Sequence, residues 1–438
     1  MNALGAVPSL PAARPETRTL FVNATQVVTC HGPARGRRGS EMSDAVVRTG
    51  VGVAVVGDRV VAVDAPAELR AQFAGAREFD CHARVLMPGL VDSHTHAVFG
   101  RPRYEEQELR AAGLDYMEIA RRGGGIHSSV RDLRVQSEDA LFRLASSRLR
   151  RLASFGTTTV EVKSGYGLTL EDELKALRVI ARLARELPLR IVPTFLGAHE
   201  IPLEHRTSAE TRVAYIDSLV HLMIPAIAAE GLARFADVFC EPGVYTVEES
   251  RTILTAARRA GMLLKIHADE LTSGGGAELA ASLGATSADH LAAVSDAGIA
   301  GLSTGATVAT LLPGTMLFLG KTKQAPARRL IEAGVPVALA TDFNPGTSPT
   351  PNFPLMLTLG VSQLRLSVAE VLIAGTVNGA AALALADHVG QIRPGFSADL
   401  AIVDVSDIRE LPYWYGDNRC IATFVRGKPC HTSELEIA

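Results

Sequence analysis

The chain has little of what would direct a protein to an oxidising compartment or to a polyanion. It contains five cysteines, which are scattered and form no Cys-x-x-Cys pair. A disulfide framework or a cysteine-based zinc site is therefore not expected, and a cytoplasmic location fits best. The formal net charge is only -3, so there is no electrostatic case for binding nucleic acid or an anionic membrane.

Long apolar runs are almost absent as well. The N-terminal sequence MNALGAVPSLPAARPETRTL has no basic segment followed by an apolar one, so we predict no signal peptide. From Ala297 no charged residue occurs before Lys321, and a stretch of this length could span a bilayer. Because glycines and Pro313 interrupt it, we interpret the stretch as a buried strand with its flanking loop, and we expect no membrane partner.

The pattern along the 438 residues predicts a large domain and a small one. Residues 1–17 are rich in proline and alanine and are predicted to be poorly ordered. Residues 18–86 alternate short β-like runs with turns, which predicts a small antiparallel sheet region, and residues 389–438 return to this texture as the second half of one β-sandwich. Between them, residues 87–388 alternate apolar strands with amphipathic helices, which predicts an α/β fold, a (β/α)8 barrel.

His94 and His96, in the string VDSHTH, are the first residues that suggest chemistry. They close a short apolar stretch, MPGLVDSHTH, that is typical of a buried strand. Residues two apart on a strand point to the same face, so the two imidazoles should lie side by side at the carboxyl end of the strand. Such a pair is a common beginning of a metal site with nitrogen ligands.

Three later strands are expected to end in residues of the same kind. His267 and Glu270 lie in KIHADE, His290 lies in SADHL, and Asp342 lies in VPVALATDFNPG. In a (β/α)8 barrel the carboxyl ends of all strands meet at one face, where active sites form. Histidines and an aspartate gathered there predict a divalent metal that lowers the pKa of a water molecule, and therefore metal-assisted hydrolysis.

Each of these residues, taken alone, has another explanation. His290 could be a hydrogen-bonded core histidine, and Glu270 could be a solvated acid in a loop. Asp342 could cap a helix or occupy a turn before Asn344. The metal-site interpretation is favoured because the residues fall together at the strand ends of one barrel.

Residues that hold a substrate should lie in the loops after the strands. Arg103, in FGRPRYEEQ, could bind a carboxylate through two parallel hydrogen bonds, or it could be a surface arginine beside Glu105 and Glu106. Tyr166, in the turn of EVKSGYG, could cap a ligand or could be a turn aromatic. His199, which ends TFLGAH, could be a metal ligand, a proton carrier or a hydrogen-bond donor to the substrate.

The loop after Asp342 is rich in glycine and proline and offers Asn344, Gly346 and Thr347 for binding. A modified lysine bridges two metals in some hydrolases of this architecture. Lys163 lies on an early strand, just before the Gly-Tyr-Gly turn, and we do not predict that role for it.

These strings resemble a known family. PGLVDSHTH, the later strand ends and GQIRPGFSADLAIVD look like the amidohydrolase superfamily. Within this superfamily the chain is similar to the imidazolonepropionase family, over essentially its whole length from about residue 20. The strings that carry this similarity are HAVFGRPRYEEQELR, EVKSGYGL, FLGAHEIP, KIHADELTSGGGAELAASLGATSADHL and ALATDFNPGTSP.

The resemblance implies an activity and a role for each residue. That family opens the lactam ring of 4-imidazolone-5-propanoate with water and gives N-formimidoyl-L-glutamate in histidine degradation. The matching metal ligands, for one divalent zinc or iron ion per chain, are His94, His96, His267 and Asp342. The matching substrate positions are Arg103, Tyr166, His199, Glu270, Asn344, Gly346 and Thr347. Glu270, His290 and Asp342 are the expected catalytic residues.

Two departures from the family pattern are mild, and two other functions stay open. Ser93 stands where many relatives have cysteine or alanine, and Thr347 stands where serine is also found. By resemblance the partners are a small molecule with a carboxylate and a second copy of the chain, as a homodimer. The alternatives are another amidohydrolase, such as a deaminase of a purine, pyrimidine or triazine, and a metal-free binding protein.

Overall fold

The largest element of the fold is a closed ring of parallel strands. A computed structural model describes residues 17–114, 118–119 and 122–433, so the N-terminal stretch expected to be poorly ordered lies outside the described residues except for Thr17. Eight strands follow one another around the ring in chain order, and each is parallel to the next. They are β8 (Leu90–Asp92), β9 (Thr157–Lys163), β10 (Arg190–Ala198), β11 (Phe235–Cys240), β12 (Leu263–Ala268), β13 (Ser287–His290), β14 (Val308–Leu311) and β15 (Val337–Leu339).

Backbone contacts beyond the last strand close the ring. Thr95 forms a parallel bridge with Phe343. The Asp342 amide donates to the carbonyl of His94 at 3.1 Å, and the His96 amide donates to the carbonyl of Phe343 at 2.8 Å. The first and last strands therefore meet at their carboxyl ends, which confirms the predicted barrel.

Helices surround the barrel, and their sequences explain their ends. In the helix Leu170–Glu186, Thr169 caps the first turn by accepting a hydrogen bond from the Asp172 amide at 3.1 Å, and the face carrying Leu177 and Ile180 is buried. The α-helices are α1 (Pro66–Gln72), α2 (Glu105–Ala111), α3 (Ile126–Val135), α4 (Glu138–Ala153), α5 (Leu170–Glu186), α6 (Ala209–Ser218), α7 (Ile224–Glu230), α8 (Val247–Arg259), α9 (Gly276–Leu283), α10 (Asp296–Ser303), α11 (Pro313–Phe318), α12 (Ala327–Glu332), α13 (Phe353–Ser362), α14 (Val368–Gly375) and α15 (Val377–Ala381). Shorter helical turns are Gly39–Ser43, Leu203–His205, Leu219–Met223 and Ile408–Glu410.

Two more sheets form the small β region, and both ends of the chain contribute to it. Their strands are β1 (Arg18–Val22), β2 (Gln26–Val28), β3 (Val47–Arg48), β4 (Gly52–Val56), β5 (Arg59–Asp64), β6 (Arg77–Asp80), β7 (Val85–Pro88), β16 (Leu400–Val403), β17 (Cys420–Val425) and β18 (Lys428–Thr432). One sheet has the order β5-β4-β1-β6 and the other has the order β18-β17-β16-β7-β2-β3. The pairing of β7 with β16 joins the two chain ends, so the predicted fold class is confirmed.

The expectation of purely antiparallel sheets in this region is wrong. β1 pairs in parallel with β6, and β2 pairs in parallel with β7. The turn signals in the sequence cannot distinguish these crossovers from hairpins, because pairing depends on burial between the sheets. That burial centres on three aromatic rings, Phe21, Phe79 and Phe424, whose centroids lie 4.9–5.5 Å apart.

The stretch MPGLVDSHTH is not the single strand that its apolar character predicts. It divides at Gly89 into β7, which belongs to the small region, and β8, which begins the barrel. A side chain at Gly89 would overlap the side chain of Thr158 on the neighbouring barrel strand. Glycine therefore lets the chain pass from one sheet to the other, and His94 and His96 follow β8 in an extended continuation.

Two apolar segments can now be placed. The segment from Ala297 to Lys321 contains parts of α10, the buried strand β14 and α11, which agrees with our interpretation of it as a barrel strand with flanking structure. Among the described residues, the helical stretch Ala209–Glu230 has the length and composition of a membrane span. Its Leu219 and Ile227 are buried inside the protein.

Close packing of α15 on the barrel generates a stability prediction. An added methyl group at Gly379 would lie 2.6 Å from the carbonyl oxygen of Val91, a backbone atom that cannot rotate away. We expect Gly379→Ala to lower the free energy of unfolding by about 1–3 kcal/mol, measured by urea denaturation. The control is Gly301→Ala on α10, where the nearest atom is a side-chain methyl at 3.3 Å and alanine favours the helix. Equal stability of Gly379→Ala and the parent would contradict this packing argument.

Candidate active site

Three histidines and one aspartate converge at the carboxyl end of the barrel. The Nε2 atom of His96 lies 3.3 Å from that of His94 and 3.4 Å from that of His267. Asp342 Oδ1 lies 3.5 Å from the Nε2 atoms of both His94 and His96. All four side chains are almost completely buried. Residues from three separate parts of the chain thus bring four possible metal-ligand atoms close together.

The spacing of these atoms fits a tetrahedral metal ion. A cation about 2.1 Å from each of two tetrahedral ligands separates those ligands by roughly 3.4 Å, the usual geometry for zinc with nitrogen and oxygen donors. Four of the six separations among these donor atoms lie between 3.3 and 3.5 Å and match this value. Without a cation the four lone-pair-bearing atoms would face one another, so the residues fit a divalent metal.

Ring closure of the barrel brings Asp342 to the histidines. Its amide is bonded to the carbonyl of His94, and its backbone has a positive φ of +52°. Non-glycine residues rarely adopt this conformation, and where they do it is often at functional sites. The hydroxyl of Thr315 donates to the second oxygen, Oδ2, at 2.6 Å, which leaves Oδ1 facing the histidines.

Two buried carboxylates orient the histidine rings. His94 Nδ1 lies 2.6 Å from Asp289 Oδ2, and His267 Nδ1 lies 2.9 Å from Asp237 Oδ2. A ring that donates its Nδ1 hydrogen keeps the Nε2 lone pair for a metal. Burial opposes the charge of Asp237, but His267 and a neighbouring lysine outweigh it and hold the pKa of this carboxyl well below its usual value.

Glu270 and His290 form a second pair beside the four donors. His290 Nε2 lies 3.5 Å from Glu270 Oε2. Burial, reinforced by the charge of Asp342, raises the pKa of Glu270 well above its usual value. Burial also lowers the pKa of His290, so the imidazole is neutral. The loop that carries Glu270 is held by Asp269, whose carboxylate accepts hydrogen bonds at the start of α9.

Three of the donors, His96, His267 and Asp342, line a cavity of about 260 Å³. His199 stacks on His96 with ring centroids 5.0 Å apart, and Tyr166 lies 5.3 Å from the ring of His199. His199 Nδ1 is 3.0 Å from the carbonyl oxygen of Gly165, so its Nε2 remains for a ligand. Burial lowers the pKa of His199 to about 3, so this ring is neutral as well.

Arg103 lies in the same cavity wall and is not a surface arginine. Its side chain is buried, and its Nε lies 3.3 Å from Glu106 Oε1. Its backbone amide donates to the carbonyl of Pro345 at 3.0 Å, which ties the loop after β8 to the loop after β15. A methyl group at Gly346 would overlap the Arg103 guanidinium, so glycine is required for the observed position.

Asn344 organises its own loop. Its Oδ1 accepts from the amides of Gly346 and Thr347 at 2.8 and 2.7 Å, and its Nδ2 donates to the Thr347 hydroxyl at 2.8 Å. Asn344 and Thr347 both border the cavity, whereas Gly346 contributes space for Arg103. Their assignment as substrate-binding residues stays a prediction.

Several residues of the site were not anticipated from the sequence. Glu106 accepts from Arg110 at 3.1 Å as well as pairing with Arg103, and Arg110 donates to the carbonyl of Gly346 at 3.1 Å. Glu106 and Arg110 lie four positions apart on α2, and this spacing was a usable signal for side chains on one helix face. Asp237 and Asp289, which contact the histidines, lie inside apolar strands and gave no signal of their own.

Comparison with known proteins settles the family. A sequence model of the amidohydrolase family matches residues 85–430. The chain is 48% identical over 413 residues to an imidazolonepropionase of Symbiobacterium thermophilum, covering 93% of this chain and 96% of the relative. It is 43% identical to an imidazolonepropionase of Chloroflexus aggregans, covering 95% and 99%. The chain belongs to the imidazolonepropionase family.

Two solved structures with a similar fold are deaminases. An E. coli guanine deaminase superposes with a TM-score of 0.72 at 15% identity, covering 96% of this chain and all of that one. An adenosine deaminase from Xanthomonas campestris, solved with bound zinc, superposes with a TM-score of 0.69 at 20% identity, covering 96% and 94%. At these identities the likeness shows the fold of this chain and nothing of its substrate. Family and donor set together indicate a divalent metal.

The contact between Gly346 and Arg103 generates a prediction about binding. We expect Gly346→Ala to displace the guanidinium and raise KM by about 10- to 100-fold, the loss of a charge-assisted hydrogen bond, with metal content unchanged. The measurement is steady-state kinetics beside elemental analysis. Gly305→Ala is the control, because its nearest neighbour lies 4.0 Å away and KM should not change. An unaltered KM in Gly346→Ala would show that Arg103 does not hold the substrate.

Proposed function

We propose that this protein hydrolyses the cyclic amide of 4-imidazolone-5-propanoate to N-formimidoyl-L-glutamate, using one divalent metal ion per chain. The observation that carries the proposal is one cavity lined by three of the converging donors, His96, His267 and Asp342, together with the buried Arg103. The curated relatives named imidazolonepropionase, at 41–48% identity, support the same reaction. A hydrolytic centre beside a cation suits a cyclic amide that carries a carboxylate.

The metal ligands of this proposal are His94, His96, His267 and Asp342. When bound, the cation lowers the pKa of a water molecule toward neutrality and draws electron density from a carbonyl oxygen. Among the metals of the family, zinc and iron both accept such a donor set. The contacts of His94 and His267 with buried carboxylates support the assignment, because they leave both Nε2 lone pairs available.

Arg103 holds and orients the substrate. Its planar guanidinium binds the propanoate carboxylate, which directs the ring toward the donors and discriminates against analogues that lack the acid. Tyr166 and His199 form the adjacent wall of the cavity, and Asn344 and Thr347 line it from the loop after β15. Orientation of this kind replaces much of the entropy that a collision in solution would lose.

Glu270 moves the proton. Its carboxylate accepts a proton from the attacking water, whose oxygen forms a bond to the ring carbonyl carbon. His290 donates a hydrogen bond to the carbonyl oxygen as negative charge develops on it. The C–N bond of the tetrahedral intermediate then breaks, and the proton held by Glu270 passes to the leaving nitrogen. The raised pKa of Glu270 suits a group that must keep the proton between these two events.

The decisive experiment measures metal and turnover together. We expect about one metal ion per purified chain by elemental analysis, and rapid loss of imidazolone absorbance that a chelator abolishes. His267→Ala should lose metal and activity together, because only three donors remain. His388→Ala, at an exposed histidine, is the matched control and should keep both.

The outcomes separate the alternatives. One metal ion per chain without turnover would support the metal centre but would mean that the substrate is that of another amidohydrolase. Release of ammonia from a purine, pyrimidine or triazine would identify a deaminase. Absence of metal from the parent protein would refute the centre. Full metal content and activity in His267→Ala would remove that residue from the ligand set.

Substitution of Arg103 tests the substrate end of the cavity. We expect Arg103→Met to raise KM by about 10- to 100-fold while metal content stays at the parent level, because the lost interaction is a charge-assisted one with the carboxylate. The neighbouring exposed Arg101→Met is the control. Unchanged kinetics in Arg103→Met would mean that the acid of the substrate is held elsewhere.

Three finer points belong to the proposal. The resident metal is zinc or iron, which the same elemental analysis distinguishes.

The chain forms a homodimer. Light scattering would then give a mass twice that of the chain, and a monomer mass would refute the dimer. The setting is the cytoplasm, an assignment supported by the free thiol state of all five cysteines.

A further inference from the structure

Five charged side chains lie buried beneath the candidate metal centre, and the proposed reaction assigns none of them a chemical step. They lie on the barrel strands β9, β11, β12 and β13, and their side chains have no exposed surface. We call them the floor network: Glu161, Lys163, Asp237, Lys265 and Asp289. Burying so many charges is costly unless each is paired, so a barrel interior that keeps them needs a reason.

Lys163 is the centre of the floor network. Its ammonium lies 2.8 Å from both Glu161 and Asp237 and 3.9 Å from Asp289. Burial opposes its protonation, but the three carboxylates outweigh burial and raise the pKa of Lys163 above its usual value. Lys163 is therefore a fixed positive charge engaged by carboxylates.

The second ammonium, Lys265, closes the floor network from the other side. It lies 3.6 Å from Asp289 and 3.7 Å from Glu161, and it donates to the carbonyl of Ser93 at 3.2 Å. Ser93 immediately precedes His94. The floor network thus contacts the chain segment that carries the first histidines.

The floor network reaches the metal centre through two carboxylates. Asp289 contacts His94 and Asp237 contacts His267, at 2.6 and 2.9 Å. Glu161 contacts neither histidine, and it accepts instead from the Thr194 hydroxyl at 2.5 Å. Changes at Glu161 and Lys163 can therefore alter the charge below the site without removing a group that touches a ligand.

The charges do not cancel. Three carboxylates face two ammonium groups, which leaves one negative charge in excess in a site without solvent. Charges in a poorly solvated interior interact over several ångströms, so a nearby dication is the natural counter-charge.

We propose that the floor network sets the metal affinity of the centre through its net charge, and that Lys163 is the residue that limits this charge. Glu161 and Lys163 then act in opposite directions on the same equilibrium as positioning residues. This inference rests on the proposed metal centre. It gives Lys163 a role as an ammonium counter-charge, distinct from that of a modified lysine that would bind metal itself.

The two substitutions are expected to change the affinity for metal in opposite directions, which makes them a direct test. Glu161→Gln removes the excess charge, and we expect it to weaken metal binding by about 10-fold or more, the usual size of outer-sphere effects. Lys163→Met increases the excess, and we expect it to tighten binding by a similar factor. The double variant Glu161→Gln/Lys163→Met restores the parent charge and should bind close to the parent level.

The measurement is the dissociation constant of zinc for metal-depleted full-length protein, by competition with a chromophoric chelator. The metal-induced rise in melting temperature is a second readout, and it should be largest for Lys163→Met and smallest for Glu161→Gln. Glu370→Gln is the matched control, because Glu370 is a buried carboxylate on α14 that pairs with Arg328 outside the barrel interior. It should leave zinc affinity unchanged.

The possible results separate this inference from the proposed function. If the parent chain binds no zinc, the metal centre fails and the inference fails with it. If the parent binds zinc and both single variants lose affinity, the floor network is only structural and the inference alone is overturned. If Lys163→Met does not fold, the comparison of Glu161→Gln with the double variant decides: the inference requires tighter binding by the double variant, and equal or weaker binding refutes it.

Discussion

The rest of the site depends on the backbone contact that closes the barrel between its first and last strands. The Asp342 amide binds the carbonyl of His94, and the His96 amide binds the carbonyl of Phe343. These two hydrogen bonds hold Asp342 beside His94 and His96 at the barrel rim, although Asp342 follows them by almost 250 positions in the chain. A closed barrel has no free edge, so the rim can hold this geometry against thermal motion with little rearrangement.

The interior of the barrel is ionic where the cores of most domains are apolar. Asp237 and Asp289 orient two histidines, and two lysines hold these carboxylates in turn. Such an interior contributes little to stability, since desolvation offsets much of the attraction between charges. Its value lies in function: it fixes which nitrogen of each ring faces the centre, and its excess charge suits a cation. Stability comes instead from the apolar contacts between strands and helices.

The sequence predicted most of the elements because their patterns are local. The strand TTTVEVK and the amphipathic helix LEDELKALRVIARLARE fall where their periodicities place them, as β9 and α5. The errors arose where local pattern does not decide. MPGLVDSHTH is continuous in hydrophobicity but divides between two sheets at Gly89, and the parallel partners of β1 and β2 are chosen by burial between sheets. Pairing of distant strands leaves no mark on either strand alone.

By itself the sequence determined the fold class, the family resemblance and the residue types that suit a metal and a carboxylate, because these depend on periodicity and on motifs of adjacent residues. Only the tertiary structure decided that His267 and Asp342 approach the same two histidines, that Arg103 is buried, and that Glu106 joins it to Arg110. It alone revealed the floor network, since its members lie on four strands and their charges matter only when they share one unsolvated space. Residues far apart in the sequence give no sign of the contacts that they make in the folded protein.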